Sequence, residues 1–267
     1  MTLDLSPEAL GEEVVVSVVD GPLYWVVLNR PHRMNAWTPA MDVAFTACLE
    51  EAAASPDARV VLVTGAGRGF CAGGDMEELG DLVQGDQEYP GAGNLYSQIL
   101  EVPKPVIAVV NGGCAGSGFA LALMCDLRFA AASAKLTAAF PRRGLPAEHG
   151  TSWVLPRVVG HAHALDILLS GRKLTASETE RMGLVAATYD DSELLERVRD
   201  YALDMAAHCS PRSMAMIKRQ AFADTTRGFA EALAEAETLT IESHGSPDAT
   251  EGWKSFVEGR PPAFPPL

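Results

Sequence analysis

Twice in this chain a short, unbroken apolar run passes into a glycine-rich turn and then into a helical pattern. The first is RVVLVTGAGRGFCAGGDM at 59–76, the second VIAVVNGGCAGSGFALALMCD at 106–126. A continuous apolar run of this length is the mark of a strand covered on both faces. Such strands alternating with helices specify an α/β fold. Each turn ends where a helix begins, near Gly74-Asp75 and near Ser117-Gly118. The first N–H groups of a helix lack intrahelical partners and carry partial positive charge, and small residues let a ligand approach that backbone closely. Two such ends aimed at one point make a two-donor pocket for a developing oxyanion. Taken singly, either segment is also compatible with an ordinary strand-to-helix turn. Two other readings fit less well. A dinucleotide fingerprint begun by Gly65-x-Gly67 has Phe70 where the sixth position wants glycine. A serine-hydrolase elbow around Ser117 has Ala115 and Phe119 where glycine belongs.

The rest of the chain places these segments. Residues 14–19 and 24–28 read as strands joined by the turn Asp20-Gly21-Pro22. Thr38-Pro39 reads as N-cap and first helical residue, opening a helix over 41–53 with Met41, Phe45, Cys48 and Leu49 near one face. Pro103-Lys104-Pro105 stiffens the approach to the strand at 106–110, and a third buried run follows at 127–130. Helical patterns occupy 75–82, 118–125 and 162–169. Thr175 and Glu178 form a capping box, Gly183 stops that helix, and a short strand follows at 184–188. From Ser192 onward helix dominates, with starts at Ser210-Pro211 and Ser246-Pro247 and an apolar stripe at Phe229, Leu233 and Ala236. The expected division is an α/β core over 1–200 and a helical unit over 201–267. The polar, glycine-rich stretch 84–93 reads as a long loop of the kind that covers a site. No repeat carries a sequence signature and no tract is of low complexity.

Composition narrows the partners. The 267 residues hold 35 acidic against 21 basic side chains, a formal charge of −14. Nucleic acid needs a basic face, and anionic membrane repels such a surface, so neither is an expected partner. No run of about 18 uncharged apolar residues is present, so no transmembrane span is expected. The five cysteines, Cys48, Cys71, Cys114, Cys125 and Cys209, are odd in number and form no CxxC. Reduced thiols in a cytoplasmic protein are the simplest reading. The first 20 residues lack the basic stretch of a secretory signal.

Three segments, FCAGGDM, AVVNGGCAGSGFALALMCDLRFA and RRGLPAEHGTSWVLPRVVGHAHALDILLSGRKLTASETERMGLV, together resemble the crotonase (enoyl-CoA hydratase/isomerase) superfamily, in order and in spacing. The resemblance runs from about Tyr24 to the C-terminus. It implies a spiral of ββα units with a helical C-terminal region that trimerises, as a homotrimer or dimer of trimers. It implies acyl-CoA thioester substrates, CoA being part of the substrate, with no further cofactor and no metal. Matched position by position, the thioester carbonyl is held by the N–H groups of Gly74 and Ser117, the second of which is usually glycine. Substrate-binding positions implied in the same way are Arg33, Asn35 and Ala36 at the adenine and pantetheine edge. Ala72, Gly73, Asp75, Gly116, Phe119 and Phe140 lie around the thioester, and Phe256, with Trp253 and Arg260, near a neighbour's CoA. Gly259 stands where lysine is common, with Arg260 as a substitute. Asp75 is equally explained as a helix N-cap.

The hydratases of this family use two glutamates to handle one water. Here those positions are Ala120 and Phe140, neither of which can move a proton. One acid remains nearby, Glu148 in Leu145-Pro146-Ala147-Glu148-His149-Gly150, and it resembles the single catalytic carboxylate of the enoyl-CoA isomerases. One carboxylate suffices for a 1,3-proton shift in a 3-enoyl thioester, and the apolar company of Leu145, Trp153 and Leu155 would raise its pKa towards that of a working base. A preorganised donor is worth roughly 2.7–4 kcal/mol, and a placed acid/base about 10²–10⁴-fold. His149 reads as a loop residue, His161 and His163 as the surface of a helix start without a third metal ligand, Asp126 as a structural acceptor, and Arg142, Arg143 and Arg157 as ion-pair partners. The expectation is an acyl-CoA enzyme shifting a double bond, with enoyl-CoA hydration as the alternative and a catalytically silent acyl-CoA binder as a reading of another class.

Overall fold

The computed structural model describes residues 5–77 and 96–267. The loop expected over 84–93 and most of the helix expected over 75–82 lie outside them; Met76 and Glu77 are helical.

After a one-turn helix α1 (Pro7–Leu10), β1 (Val15–Asp20) and β2 (Leu23–Leu28) form an antiparallel hairpin. Thr38 Oγ1 accepts from Met41 N and Pro39 is the first helical residue of α2 (Pro39–Ala54), which buries Met41, Phe45, Leu49 and Ala52. Cys48 is only half-buried beside that face. The chain then alternates between two sheets. From β3 (Val60–Gly65) it steps to β4 (Gly69–Cys71). After helix α3 (Gln98–Glu101) it passes from β5 (Val106–Val110) to β6 (Gly113–Ala115) and into α4 (Ser117–Met124). It then runs from β7 (Leu127–Ala131) to β8 (Lys135–Thr137). The first member of each pair joins the large sheet and the second the small one. With β9 (Leu174–Thr175) and β10 (Ala187–Tyr189) the orders are β1-β2-β3-β5-β7-β10 and β4-β6-β8-β9. Beyond the opening hairpin the large sheet is parallel throughout. This is the spiral of ββα units. Its repeat is structural: the third unit turns at Ser133, where Asp191 accepts from both its N–H and its hydroxyl, instead of at glycines.

Every residue of β2, β3 and β5 is buried, as continuous apolar runs require. Trp25, Tyr24, Phe45, Phe70 and Phe119 fill the core with less than 2 % exposure, each worth about 1.5–3 kcal/mol of burial. Two cations, the buried Lys104 and the half-buried Arg128, finish helix ends in this core. Lys104 Nζ donates to Ala52 O and Ser55 O at the end of α2, and Arg128 to Leu123 O and Cys125 O at the end of α4. Asp126 accepts from Val106 N at 2.7 Å and pairs with Lys218 at 2.8 Å, the structural role expected of it.

Helices α5 (Thr151–Val159), α6 (His161–Ser170) and α7 (Ala176–Arg181) follow, the last opened by the Thr175/Glu178 capping box. Helix α8 (Leu194–His208) lays Leu194, Val198, Ala202 and Ala206 on the large sheet, so residue 200 falls inside a helix of the core. Helices α9 (Pro211–Ala223), α10 (Phe229–His244) and α11 (Pro247–Glu258) bury far less, with Leu239 the one apolar residue of α10 that is buried. Their apolar side chains are turned outward instead: Phe229 is 83 % exposed, Trp253 70 % and Phe256 87 %.

Candidate active site

The small sheet sets the two glycine turns side by side. β4 and β6 run parallel with Gly69 opposite Gly113 and Cys71 opposite Cys114. Gly74 and Ser117 each lie three residues beyond these paired cysteines. The turns touch: a Cβ on Gly73 would lie 3.0 Å from Ala115 O and 3.7 Å from Gly116 Cα. Gly73 and Gly116 have φ of +100° and +51°, a region that favours glycine, so both closeness and backbone shape demand glycine here.

Each turn is then pinned from behind. Trp37 N donates to Gly73 O at 2.8 Å and Trp37 O accepts from Asp75 N at 2.8 Å, an isolated parallel bridge centred on Gly74. In that pattern the bonds flank Gly74, and its own N–H points away from Trp37. On the second turn Gly116 N donates to Thr137 O at 3.1 Å, and Ser117 opens α4 with no side-chain cap. Among the described residues, neither the Gly74 N–H nor the Ser117 N–H donates a hydrogen bond. Two unspent donors therefore stand at the ends of two abutting turns.

The candidate base lies on the loop before α5. Thr151 N and Oγ1 donate to Glu148 O at 3.0 and 2.8 Å, fixing its backbone. Glu148 is half-buried, and burial raises its carboxyl above the ordinary 4.5. His149 beside it adopts φ +54°, and burial lowers its imidazole below 6.5. Leu155 is fully buried, whereas Leu145 is 39 % exposed and contributes less of the apolar company expected for Glu148.

Three aromatic residues complete the cluster: Phe45, expected on the apolar face of its helix, and Trp37 and Tyr96, to which sequence reasoning assigned no role at the site. Tyr96, 3 % exposed, meets Trp37 edge-on at 5.4 Å and His149 at 4.5 Å, and Trp37 meets Phe45 at 5.5 Å. Burial holds the Tyr96 phenol far above 10, reinforced by Cys71, Asp42 and Glu148, while the Ser117 hydroxyl pulls the other way. Tyr96 thus lies within electrostatic reach of both Ser117 and the Glu148 carboxylate. Trp37 Nε1 donates to Asp42, whose carboxyl is raised by burial. The one sequence signal was Trp37's place just before the Thr38 cap; Tyr96, in NLYSQIL, carried none.

Several expected contacts are spent on the fold. Asn35 is fully buried: its Oδ1 accepts from Arg30 N at 2.8 Å and its Nδ2 donates to Ala66 O and Gly69 O at 3.0 and 2.8 Å. It holds the first glycine turn rather than offering a side chain to substrate. Asp75 is buried, accepts from Glu77 N at 3.1 Å and pairs with Arg30 at 3.0 Å. Burial alone would raise its carboxyl, but these partners outweigh it and the net shift is downward. Arg30 also donates to Ala36 O, so that carbonyl is engaged. Phe119 and Phe140 are 1 % and 3 % exposed and belong to the core, as does Ala120 at the vacant glutamate position. Arg33 is exposed and paired with Glu77, and Ala72 is exposed at the rim with its N–H on Met34 O. Phe256 projects outward from α11. Arg260 is no free substitute for a lysine, because Glu251 and Glu258 hold its guanidinium at 2.6 Å. The ion pairs expected of three other arginines are absent among the described residues. Arg142 donates to Ser170 O, Arg157 lies 3.8 Å over the Trp153 ring, and Arg143 is exposed. A groove of about 540 Å³ between α4, α5, α8 and α9, bordered by Met124, Trp153, Met205 and Phe222, includes none of Gly74, Ser117 and Glu148.

The sequence profile of the family described as Enoyl-CoA hydratase/isomerase matches residues 21–266. The chain belongs to the enoyl-CoA hydratase/isomerase family. It is 32 % identical to the 1,2-epoxyphenylacetyl-CoA isomerase of Escherichia coli (strain K12), over 94 % of this chain and 98 % of that one. It is 37 % identical to a Rhodobacter capsulatus protein described as "Probable enoyl-CoA hydratase", over 90 % and 93 % of the two chains. Among solved structures, an enoyl-CoA hydratase from Polaromonas sp. JS666 superposes with a TM-score of 0.87 at 29 % identity, covering 94 % of this chain and 99 % of that one. Family membership makes the protein a crotonase-superfamily enzyme, while its relatives carry both isomerase and hydratase names. No helix among the described residues is long and apolar enough to cross a membrane.

Proposed function

We propose that this enzyme binds an enoyl-CoA thioester with its carbonyl oxygen between the N–H groups of Gly74 and Ser117 and shifts the double bond with Glu148 as the sole proton carrier. The Glu148 carboxylate removes a proton from C2 of a 3-enoyl-CoA. The electron pair left on C2 delocalises into the carbonyl and the neighbouring double bond, and the two N–H groups stabilise the resulting dienolate oxygen. Glu148, now protonated, returns that proton at C4, giving the 2-enoyl-CoA. The observation that carries this reading is the pair of unspent donors on abutting turns. A carboxyl whose pKa is raised by burial stands in the same cluster, and a base working near neutrality needs such a shift.

Hydration is the second reading, favoured by the Rhodobacter capsulatus relative's name. It needs two groups to activate a water and return a proton, and at the two expected positions stand Ala120 and Phe140, both buried. The exposed Trp253 and Phe256 on α11 support the C-terminal helices as the self-association face of a trimer or a dimer of trimers. The test is turnover of 3-hexenoyl-CoA and 2-hexenoyl-CoA by the protein and by Glu148→Gln. Conversion of the 3-enoyl ester that is lost in Glu148→Gln supports the proposal. Formation of 3-hydroxyhexanoyl-CoA that persists in Glu148→Gln rejects it, and binding without any turnover makes the protein a silent acyl-CoA binder.

A further inference from the structure

The geometry points to Tyr96 as the positioning residue of this active site, a buried ring packed between Trp37 of the Gly74 arm and His149 of the Glu148 loop. The inference rests on the reading of Glu148 as proton carrier and adds a residue to it. The first arm reaches Tyr96 through Trp37. The Trp37 indole meets the Tyr96 ring at 5.4 Å, while the Trp37 main chain brackets Gly74 by its bonds to Gly73 O and Asp75 N. The second arm is Ser117, whose hydroxyl pulls the Tyr96 phenol down against the rise that burial imposes. The third is the Glu148 loop, because His149 packs edge-on against the Tyr96 ring at 4.5 Å and an interplanar angle of 82°.

The third contact holds a backbone that would not otherwise keep its shape. His149 adopts φ +54° and Gly150 follows at +72°. A non-glycine residue in that region persists only where its surroundings over-determine it. Thr151 fixes the carbonyl of Glu148 from the α5 side, and Tyr96 is the ring that fixes His149 from the other. Phe45 extends the same edge-to-face column behind Trp37, at 5.5 Å, and so anchors it in the core under α2. Tyr96 therefore sets the distance between donors and base without touching the proton in flight. As its phenol stays neutral over the working range, this setting does not change with pH.

The test uses 3-hexenoyl-CoA turnover across pH, with thermal melts of each variant. Tyr96→Phe keeps both ring contacts and is expected to stay within about threefold of the parent kcat. Tyr96→Ala and the bulk-preserving Tyr96→Leu are expected to lose about 10–100-fold in kcat, the scale of a misplaced reacting group, with KM changed much less. Water reaching Glu148 would also move the acid limb of kcat/KM to lower pH, a shift that general loosening of the fold does not produce. His149→Asn, which tolerates the left-handed backbone, removes the same contact from the other side. Combined with Tyr96→Leu it should lose less than the product of the two single effects. Parent-like kcat and acid limb in Tyr96→Leu, or strictly multiplicative effects in the double variant, overturn the inference. Glu148→Gln separates the two levels. If it retains turnover, the proposed function fails. If it is inactive while Tyr96→Leu behaves as the parent, only the role of Tyr96 fails.

Discussion

Replacing Gly118 by alanine should weaken this protein, although the same change in an ordinary helix strengthens one. Gly118 is the second residue of α4, and in a helix interior alanine is favoured over glycine by about 0.8–1 kcal/mol. Here the new Cβ would stand 2.3 Å from Cys71 O, 2.6 Å from Cys71 Cβ and 3.0 Å from Cys71 C. The obstacle is the backbone of β4, held by its pairing to β6, so it cannot rotate aside as a side chain would. Restoring ordinary contact, with carbon atoms about 3.5–4.0 Å apart, requires the start of α4 and the end of β4 to separate by roughly 1 Å. Overpacking of this kind costs about 1–3 kcal/mol, which offsets or exceeds what the helix gains, for a net loss of up to about 2 kcal/mol. For a domain of this size that lowers the melting midpoint by up to about 8 °C. The same movement separates the Gly74 and Ser117 donors, and a misplacement of about 1 Å is worth on the order of 10²-fold in rate. A thermal melt and 3-hexenoyl-CoA turnover on the same sample read both effects. An unchanged or raised midpoint with parent-like turnover would refute the argument that α4 and β4 are in locked contact at this point.

Other residues give further tests. Asn35→Ala removes three hydrogen bonds of a buried side chain and should destabilise by about 3 kcal/mol or more in a denaturant titration, since each orphaned buried group costs about 1–3 kcal/mol; a change below about 0.5 kcal/mol would contradict a structural role for Asn35. Arg30→Met leaves the buried Asp75 carboxylate without its ion-pair partner and should cost about 3–5 kcal/mol, with Asp75 then titrating at higher pH by NMR. The ionised form of Glu148 is the base, and burial raises its pKa above 4.5, so kcat/KM should rise with pH through an acid limb above that value; a limb at or below 4.5 contradicts a buried base. Phe256→Glu should leave secondary structure intact, because that side chain is 87 % exposed in the single chain, and should weaken self-association in sedimentation velocity if α11 is the trimer face.

The fold was legible where one local rule decided an element. Continuous apolar runs marked β3, β5 and β7, and the Thr38-Pro39, Ser210-Pro211 and Ser246-Pro247 caps marked three helix starts, all present. The glycine turns marked both donor arms because close approach and positive φ leave no other residue at Gly73 and Gly116. What was not legible depended on partners distant in sequence. Asn35 was read at the adenine and pantetheine edge, yet its side chain is consumed by Arg30, Ala66 and Gly69, and Asp75, which accepts from Glu77 N as an N-cap does, is also paired with Arg30, a partner 45 residues away. Arg157 was expected in an ion pair and instead covers Trp153. Tyr96 escaped notice because its neighbours, Trp37, Ser117 and His149, come from three separate stretches of chain that only the two-sheet spiral brings together.

Exchange of the C2 protons of hexanoyl-CoA in deuterated water, followed by mass spectrometry, isolates the shared first step from any later isomerisation or hydration. It requires only a base at C2 and donors at the carbonyl oxygen. Deuterium should enter C2 with the parent protein, and the rate should fall by about 10²-fold or more in Glu148→Gln, the scale of a placed proton carrier. Exchange in Glu148→Gln at the parent rate would show that another group holds the proton and that the assignment of this site is wrong.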